Sequence, residues 1–237
     1  ALQLRVVHDL GLARRAGRVV TFGVRERADV SAAGVRSSMT GGRFVTAFEL
    51  HTPEGRRMVR LGLAGEHNVM NALAATAAAM AAGAGLDHVV RGLESVKAVS
   101  GRLEIKPTRS GARLIDDAYN ANPGSLRAGL QALHGIGGER WLVLGEMAEL
   151  GEEGPRLHAE MGAYARECGV TRVFAVGEGS KAAVAAFGAG AEWFASTDAL
   201  LEALLPVLHP GLTLYVKGSR VNRLERVTAA LGQDAAA

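Results

Sequence analysis

The chain has 237 residues, enough for one large domain or two ordinary ones, and its 48% hydrophobic content is sufficient for a buried core. The net charge of +3 is not concentrated in a short basic run with interleaved aromatic residues, which argues against nucleic acid as a partner. A single cysteine excludes an internal disulfide and a thiolate metal cluster. With neither an 18-residue apolar run nor a signal-peptide pattern, we expect a cytoplasmic protein without membrane insertion.

The first part of the chain combines β-hairpins with helices. Turn signals separate segments that alternate or favour β-branched residues, and alanine-rich segments with one apolar face favour helix. This part lacks the strands of a free-standing α/β domain, so we expect the sequence to begin inside a domain. The predicted helices cover residues 4–16, 66–82 and 87–95, and the predicted strands cover residues 18–22, 30–37, 43–50 and 57–63.

From about residue 100 the pattern becomes a regular alternation of strands and helices. Such alternation predicts parallel strands with right-handed crossovers, hence an α/β fold with a doubly wound, mostly parallel, Rossmann-like sheet. The predicted domains are therefore residues 1–99 and 100–237. The predicted strands are residues 103–106, 113–116, 141–144, 172–176, 191–194 and 212–216, and the predicted helices are residues 125–134, 155–168, 180–187, 197–208 and 222–231.

The segment from residue 116 to residue 125 carries more ligand-bonding side chains than a turn requires. It follows the strand predicted at residues 113–116 and precedes a predicted helix, which places it at the carboxyl end of a strand. Ligands of open α/β sheets bind at that edge. We therefore interpret the segment as part of a binding site. Its five polar side chains are those of Asp116, Asp117, Tyr119, Asn120 and Asn122.

Two further groups have both a structural and a functional interpretation. Asn68 and Asn71 lie three residues apart, on one face near a helix start, where they either cap the helix or read the edge of a nucleobase. Arg102 either pairs with Glu104 or a nearby acid, or holds a phosphate with its planar guanidinium.

The ends of three later strands are also polar. Lys217, Ser219 and Arg220 form either an anion site or a solvated turn. Glu146 and Glu149 either supply helix N-terminal charge or line the same crevice as Asp117. The glycine-rich residues 177–181 lack the spacing of a phosphate loop and are interpreted as a strand-to-helix turn. His158 has no evident metal-ligand partner and is expected at the surface.

Taken in order, five motifs of this chain closely resemble the Mur ligases: residues 65–71, 101–104, 116–125, 143–151 and 217–220. The resemblance implies a three-domain enzyme. Residues 1–99 would form the C-terminal part of the central ATP-binding domain, and residues 100–237 the C-terminal Rossmann-like ligase domain. Tyr119-Asn120-Ala121-Asn122-Pro123 favours the member that acts on D-alanyl-D-alanine.

The resemblance also implies a reaction. ATP activates the terminal carboxylate of UDP-N-acetylmuramoyl-tripeptide as an acyl-phosphate, and the amine of D-alanyl-D-alanine attacks it, in peptidoglycan biosynthesis. Mg²⁺ offsets phosphate charge in such transfers. The phosphate loop and the Mg²⁺ ligands are expected upstream of residue 1. This chain is therefore expected to need the missing N-terminal part of the same enzyme as its partner, and to be inactive alone.

Residue roles follow from the same resemblance. Asn68 and Asn71 would contact adenine, Arg102 would reach toward the terminal phosphate, and Asp117 would hold the ribose, with Arg102 and Asp117 as the catalytic pair. Two sets of side chains would line the nucleotide edge or the substrates. Tyr119, Asn120 and Asn122 would shape the nucleotide edge or the incoming dipeptide, and Lys217, Ser219 and Arg220 would lie near the acidic end of the peptide substrate.

Two alternatives stay open at this point. One is another amino-acid ligase of the same superfamily, such as the folate polyglutamating type. The other is a nucleotide-binding or scaffold module without catalysis. A substrate screen separates the first alternative, and the coding sequence upstream of residue 1 separates the second.

Overall fold

A computed structural model describes residues 19–24, 28–40, 43–97, 101–134 and 136–232 of the chain. It divides into two compact units, residues 1–97 and residues 98–237. The helix predicted at residues 4–16 lies outside the described residues. The assignment of residues 1–99 and 100–237 to two domains of a larger enzyme stays a prediction.

The first unit contains a four-stranded sheet in the order β1-β2-β3-β4. β1 runs parallel to β2, and the other two pairs are antiparallel. The long pair β2–β3 shifts register between Ala33 and Arg36, beside Gly34, whose φ of 63° belongs to the left-handed region. The strands are β1 (Phe22–Gly23), β2 (Val30–Thr40), β3 (Arg43–Thr52) and β4 (Gly55–Leu61).

Two helices cover this sheet, α1 (Glu66–Ala81) and α2 (Leu86–Ser95). α1 is rich in alanine, a strong helix former, and α2 repeats apolar residues on one face. Their buried faces, which include Leu73 of α1, share one core with inward side chains of the strands, such as Phe48 and Leu50. The predicted pattern of hairpins followed by two helices is confirmed for the described residues.

The second unit contains a six-stranded sheet in the order β5-β6-β10-β7-β8-β9. β5 is antiparallel to β6, and all other neighbours are parallel. β10 returns to lie between β6 and β7, so the direction of the chain across the sheet reverses there. The strands are β5 (Glu104–Pro107), β6 (Arg113–Asp117), β7 (Glu139–Gly145), β8 (Arg172–Val176), β9 (Ala191–Phe194) and β10 (Leu212–Lys217).

Helices cover both faces of this sheet. One face carries α3, α4 and α5, which pack in series, and Tyr215 of β10 points toward this face. The other face carries α6 and α7, which pack against Leu214 and Val216 of β10. The alternation of side chains along β10 thus divides the core into two halves. The helices are α3 (Pro123–His134), α4 (Gly154–Glu167), α5 (Lys181–Phe187), α6 (Thr197–Leu204) and α7 (Glu225–Leu231).

The expected α/β class with a mostly parallel second sheet is confirmed. Within the described parts of the chain, no helix combines the length and apolar character needed to cross a membrane.

Candidate functional site

The two adjacent aspartates at the end of β6 point to opposite faces of the sheet. Successive side chains of a strand alternate, so Asp117 faces α3 and Asp116 faces α7. Lys106 donates a hydrogen bond of 2.7 Å to Asp116 Oδ2. Burial alone would lower the pKa of Lys106, but its hydrogen bonds to Asp116 and Glu104 outweigh burial and hold that pKa above its ordinary value. The two carboxylates therefore belong to separate environments.

Asp117 lies in a buried polar group with two residues of the neighbouring strand. Lys217 of β10 faces Asp117 in parallel register, and its Nζ atom lies 2.5 Å from Asp117 Oδ2. The hydroxyl of Tyr215 donates to the same oxygen over 2.8 Å. Burial, then the charge of Asp117 and this hydrogen bond, raise the pKa of Tyr215 well above its ordinary value of about 10. We call these three side chains the β6–β10 triad.

The other oxygen of Asp117 holds the turn that carries Arg102. The backbone N–H of Leu103 donates to Asp117 Oδ1 over 3.2 Å, and the N–H of Tyr119 donates to the carbonyl of Gly101 over 3.1 Å. Residues 101–103 are thus tied to the end of β6 at two points. The guanidinium carbon of Arg102 lies 4.7 Å from the centre of the Tyr119 ring, a cation–π contact that orients the arginine.

Asn122 serves as the N-cap of α3. Its Oδ1 accepts from the N–H of Ser125 over 2.8 Å, and the Ser125 hydroxyl accepts from the N–H of Asn122 over 3.1 Å. This reciprocal pair is a capping box. α3 therefore starts at Pro123, which suits the first helical position, and the start predicted at Ser125 was two residues late.

Asn120 lies beside this cap and is exposed. Its Oδ1 accepts from the N–H of Ala121, and its carbonyl accepts from Lys217 Nζ over 3.0 Å. The Asn120 side chain is thus at the surface of the turn while its backbone is bonded to the buried lysine.

The three residues predicted as an anion site after β10 have different environments. Lys217 is 2% exposed and Ser219 is 3% exposed, whereas Arg220 is exposed. The Ser219 hydroxyl accepts from the N–H of Ala148 over 2.8 Å and donates to the carbonyl of Ala121 over 3.3 Å. Ser219 therefore joins the loops that follow β6, β7 and β10, and of the three side chains only Arg220 is presented at the surface.

Asn222 and Glu146 fasten the loops at the same edge of the sheet. The Asn222 carboxamide donates to the carbonyl of Glu146 over 2.8 Å and accepts from its N–H over 3.2 Å. The Glu146 carboxylate accepts from the N–H of Gly179 over 3.1 Å. A protein carboxylate thus engages the glycine-rich turn, which fits its interpretation as a strand-to-helix turn. Glu149, predicted either near a helix start or in the crevice, is exposed, with a φ of 64°.

His158 was expected at the surface, and that expectation was wrong. It is 1% exposed on α4, where Nε2 accepts from the N–H of Met147 over 2.9 Å and Nδ1 lies 2.7 Å from the carbonyl of Gly154. The ring fastens the loop after β7 to the helix.

The paired asparagines Asn68 and Asn71 lie in the first unit, near the start of α1. Gly65, with a φ of 90°, precedes α1, and the helix has no side-chain cap. Asn68 Nδ2 donates to the carbonyl of Ala64 over 2.7 Å, and Asn71 is exposed. The capping interpretation is therefore wrong for both residues, and base recognition stays a prediction.

A cavity of about 640 Å³ opens on the α7 face of the second unit. Its wall combines acidic, basic and aromatic groups, including Asp116, Lys106, Arg220 and Tyr119. Gly101 and Tyr119 line it as well as supporting Arg102, so the cavity adjoins the arginine-bearing turn.

The described residues do not provide a magnesium site. They contain no cluster of three or more His, Cys, Asp or Glu side chains arranged around a common point. Asp116 and Asp117 face apart, and each is bonded to a lysine. We therefore derive no step through Mg²⁺ from these residues.

Sequence reasoning missed Tyr215, Lys106 and Asn222. Tyr215 lies between Leu214 and Val216 in a buried strand and meets Asp117, which is 98 positions away in the chain. The available signal was the strict alternation of β10, which places Tyr215 and Lys217 on one face.

Comparison with known proteins identifies both parts of the chain. The Mur ligase middle domain pattern matches residues 9–79, and the pattern described as "Mur ligase, glutamate ligase domain" matches residues 101–220. Among curated relatives, the UDP-N-acetylmuramoyl-tripeptide–D-alanyl-D-alanine ligase of Escherichia coli (strain K12) is 44% identical over 191 residues, which is 80% of this chain and 42% of the relative. The ligase of the same description from Mycobacterium tuberculosis (strain ATCC 25618 / H37Rv) is 38% identical over 79% of this chain and 42% of the relative.

Solved structures give the same result. A crystal structure of MurF from Acinetobacter baumannii matches 94% of this chain and 48% of its own, with a TM-score of 0.82 and 33% identity. The MurF ligase of Thermotoga maritima, solved in complex with ADP, matches 94% of this chain and 51% of its own, with a TM-score of 0.75. Its identity of 23% shows the fold alone. The chain spans less than half the length of the curated relatives named here. It belongs to the Mur ligase family.

Proposed function

We propose that this chain forms part of an ATP-dependent ligase that joins D-alanyl-D-alanine to UDP-N-acetylmuramoyl-tripeptide in peptidoglycan biosynthesis. The observation that carries the proposal is the arginine-bearing turn 101–103 held by Asp117 and Tyr119 at the carboxyl edge of the sheet. Identity of 44% to a ligase of that description supports these two substrates, and membership of the Mur ligase family supports the use of ATP.

The proposed reaction has two steps. The terminal carboxylate of the peptide attacks the γ-phosphorus of ATP, which releases ADP and leaves an acyl-phosphate. The amine of D-alanyl-D-alanine then attacks the acyl carbon, loses a proton, and expels phosphate. Such a site acts mainly by stabilising the negative charge on the oxygens of the transferred phosphoryl group.

In this scheme Arg102 provides positive charge for the phosphoryl group. Its guanidinium is presented on an ordered turn and braced by the Tyr119 ring, so little reorganisation is needed when the phosphate is bound. We assign Asp117 to a hydroxyl of the ribose. Its Oδ2 already accepts two hydrogen bonds, whereas Oδ1 accepts one from Leu103. A carboxylate oxygen offers two acceptor sites, so Oδ1 is the oxygen with capacity for a ligand.

The remaining assignments follow the exposure of the side chains. Asn68 and Asn71 are assigned to adenine on the first unit. Tyr119, Asn120 and Asn122 are assigned to the edge of the nucleotide or the dipeptide, and Arg220, on the wall of the cavity, to a carboxylate of the peptide substrates. Lys217 and Ser219 are assigned to support rather than direct contact, because both are buried.

The experiment is a substrate panel on a longer ligase that contains these 237 residues and a phosphate loop. With UDP-N-acetylmuramoyl-tripeptide and ATP, D-alanyl-D-alanine should give the pentapeptide product and one ADP per product. Single amino acids, and glutamate with a folate acceptor, should not. Preferential turnover of folate and glutamate would contradict the proposal. The 237 residues alone should form no product, because their sequence lacks a phosphate loop.

A further inference from the structure

The ammonium group of Lys217 is buried and does not reach the surface. The residue is among the largest fully buried side chains, and its Nζ contacts Asp117 Oδ2 and the carbonyl of Asn120. A buried ion pair contributes little net stability compared with an apolar pair of the same size, because both charges lose their hydration. We therefore look to the geometry that the Lys217–Asp117 pair imposes on its neighbours, and not to its net stability.

That geometry is visible at the other end of Asp117. Lys217 and Tyr215 both donate to Oδ2, which fixes the rotation of the carboxylate. With the carboxylate fixed, Oδ1 faces the N–H of Leu103. The triad therefore reaches the 101–103 turn through a continuous series of hydrogen bonds.

The turn needs such a restraint. Leu103 has a φ of 52°, in the left-handed region that residues with a Cβ rarely adopt. A hydrogen bond to a charged acceptor, stronger than one to a neutral group, offsets this strain. Without it, Leu103 would relax toward ordinary backbone angles and redirect the preceding residue, Arg102.

We propose that Lys217, assisted by Tyr215, is a positioning residue for Arg102. Its ammonium orients Asp117, Asp117 holds Leu103 in the left-handed conformation, and that conformation places the guanidinium of Arg102 over Tyr119. Lys217 itself touches no substrate. The consequence for catalysis rests on the proposed function, whereas the consequence for the turn does not.

The first test measures amide hydrogen exchange by NMR in the 237-residue chain, for Lys217→Met, Tyr215→Phe and a control, Lys181→Met. Lys181 is also paired with a carboxylate, Glu178, but is exposed. In Lys217→Met, loss of the bond from Lys217 to Asp117 should weaken the bond from the Leu103 N–H to Asp117, so the Leu103 amide should exchange at least about tenfold faster. In Tyr215→Phe the increase in exchange rate should be smaller. Amides of β8 should keep their protection, and the control should match the unmodified chain.

Unchanged protection of Leu103 in folded Lys217→Met would overturn the proposal. If that variant does not fold, Tyr215→Phe decides, because it keeps the ring and removes one of the two bonds to Asp117 Oδ2. Equal protection of Leu103 in Tyr215→Phe and the unmodified chain would then overturn it.

The second test is a double-variant cycle in the longer ligase with Arg102→Ala and Lys217→Met. If Lys217 acts through Arg102, the double variant should have the kcat of Arg102→Ala alone. Multiplication of the two losses in kcat would overturn the link to Arg102. If the unmodified longer ligase makes no product, the proposed function is refuted, and the exchange result still decides the positioning of the turn.

Discussion

Lys217 Nζ lies 2.5 Å from Asp117 Oδ2, and the two residues face each other in register on neighbouring parallel strands. The two residues are 100 positions apart in the sequence, so the contact exists only because β10 returns between β6 and β7. The pair joins the polar turn that follows β6 to the core of the second unit.

Breaking this pair on one side should be costly. Asp117→Ala leaves the Lys217 ammonium buried without its counter-charge, which is expected to lower the free energy of unfolding by about 3–5 kcal/mol. The double variant Asp117→Leu with Lys217→Met removes both charges and should lose clearly less than Asp117→Ala alone. Urea unfolding at pH 7 measures both. Lys181→Met, in an exposed ion pair, should stay within about 0.5 kcal/mol of the unmodified chain. A double variant that loses as much stability as Asp117→Ala would contradict the pairing.

Gly129 in α3 provides the space for the Tyr215 hydroxyl. A Cβ at position 129 would overlap that hydroxyl, so Gly129→Ala should destabilise the chain by about 1–3 kcal/mol despite the better helix propensity of alanine. Gly92 in α2 is the matched control, since a Cβ there meets nothing within 4 Å. Gly92→Ala should stabilise by about 0.5–1 kcal/mol. Thermal and urea unfolding compare the two, and a stabilising Gly129→Ala would show that the tyrosine is placed differently.

The raised pKa of Tyr215 predicts a steep loss of stability in alkali. Above about pH 10 the unfolded chain releases a phenolic proton that the folded chain retains, so the free energy of unfolding falls as pH rises. This residue contributes a slope of up to about 1.4 kcal/mol per pH unit, which ends at its folded-state pKa. Tyr215→Phe should be less stable at pH 8, through loss of the bond to Asp117, and should decline less steeply above pH 10. Parallel curves for the two proteins would argue against a buried, protonated Tyr215.

The cap of α3 offers a separate test at the edge of the site. Asn122→Ala removes the acceptor of the Ser125 N–H and should cost about 1 kcal/mol of stability. Asn122→Asp retains an acceptor and adds negative charge at a helix N-terminus, so it should be close to neutral. Unfolding free energies measured without nucleotide separate this structural effect from binding. Equal stability of the two variants would show that Asn122 does not cap the helix.

Patterns within one element were readable from the sequence. Residues 172–176 and 191–194 form strands at the predicted positions, because β-branched and aromatic residues there are bounded by clear turn signals. The helix predicted to reach Leu208 instead ends at Leu204. Pro206 lacks the N–H that would donate to the carbonyl of Glu202, and a 3₁₀ turn, Leu205–Val207, follows.

Contacts between distant elements were not readable in the same way. Residues 116–125 were recognised as a polar turn, but the partners of Asp117 come from a strand about 100 positions later. Lys217 was expected near a substrate since its sequence neighbours resemble an anion site. Its position on the α3 face of β10 instead directs it toward Asp117, and only strand order and register determine that.

The rate of ligation shows whether the turn 101–103 presents Arg102 to a phosphoryl group. The measurement is ATP-dependent formation of UDP-N-acetylmuramoyl-pentapeptide by the longer ligase, with and without Arg102→Ala. The variant should fold, bind D-alanyl-D-alanine as before, and form product about 100–1,000-fold more slowly, the cost of removing a preorganised transition-state donor. An unchanged rate in the folded variant would mean that Arg102 does not stabilise the phosphoryl group.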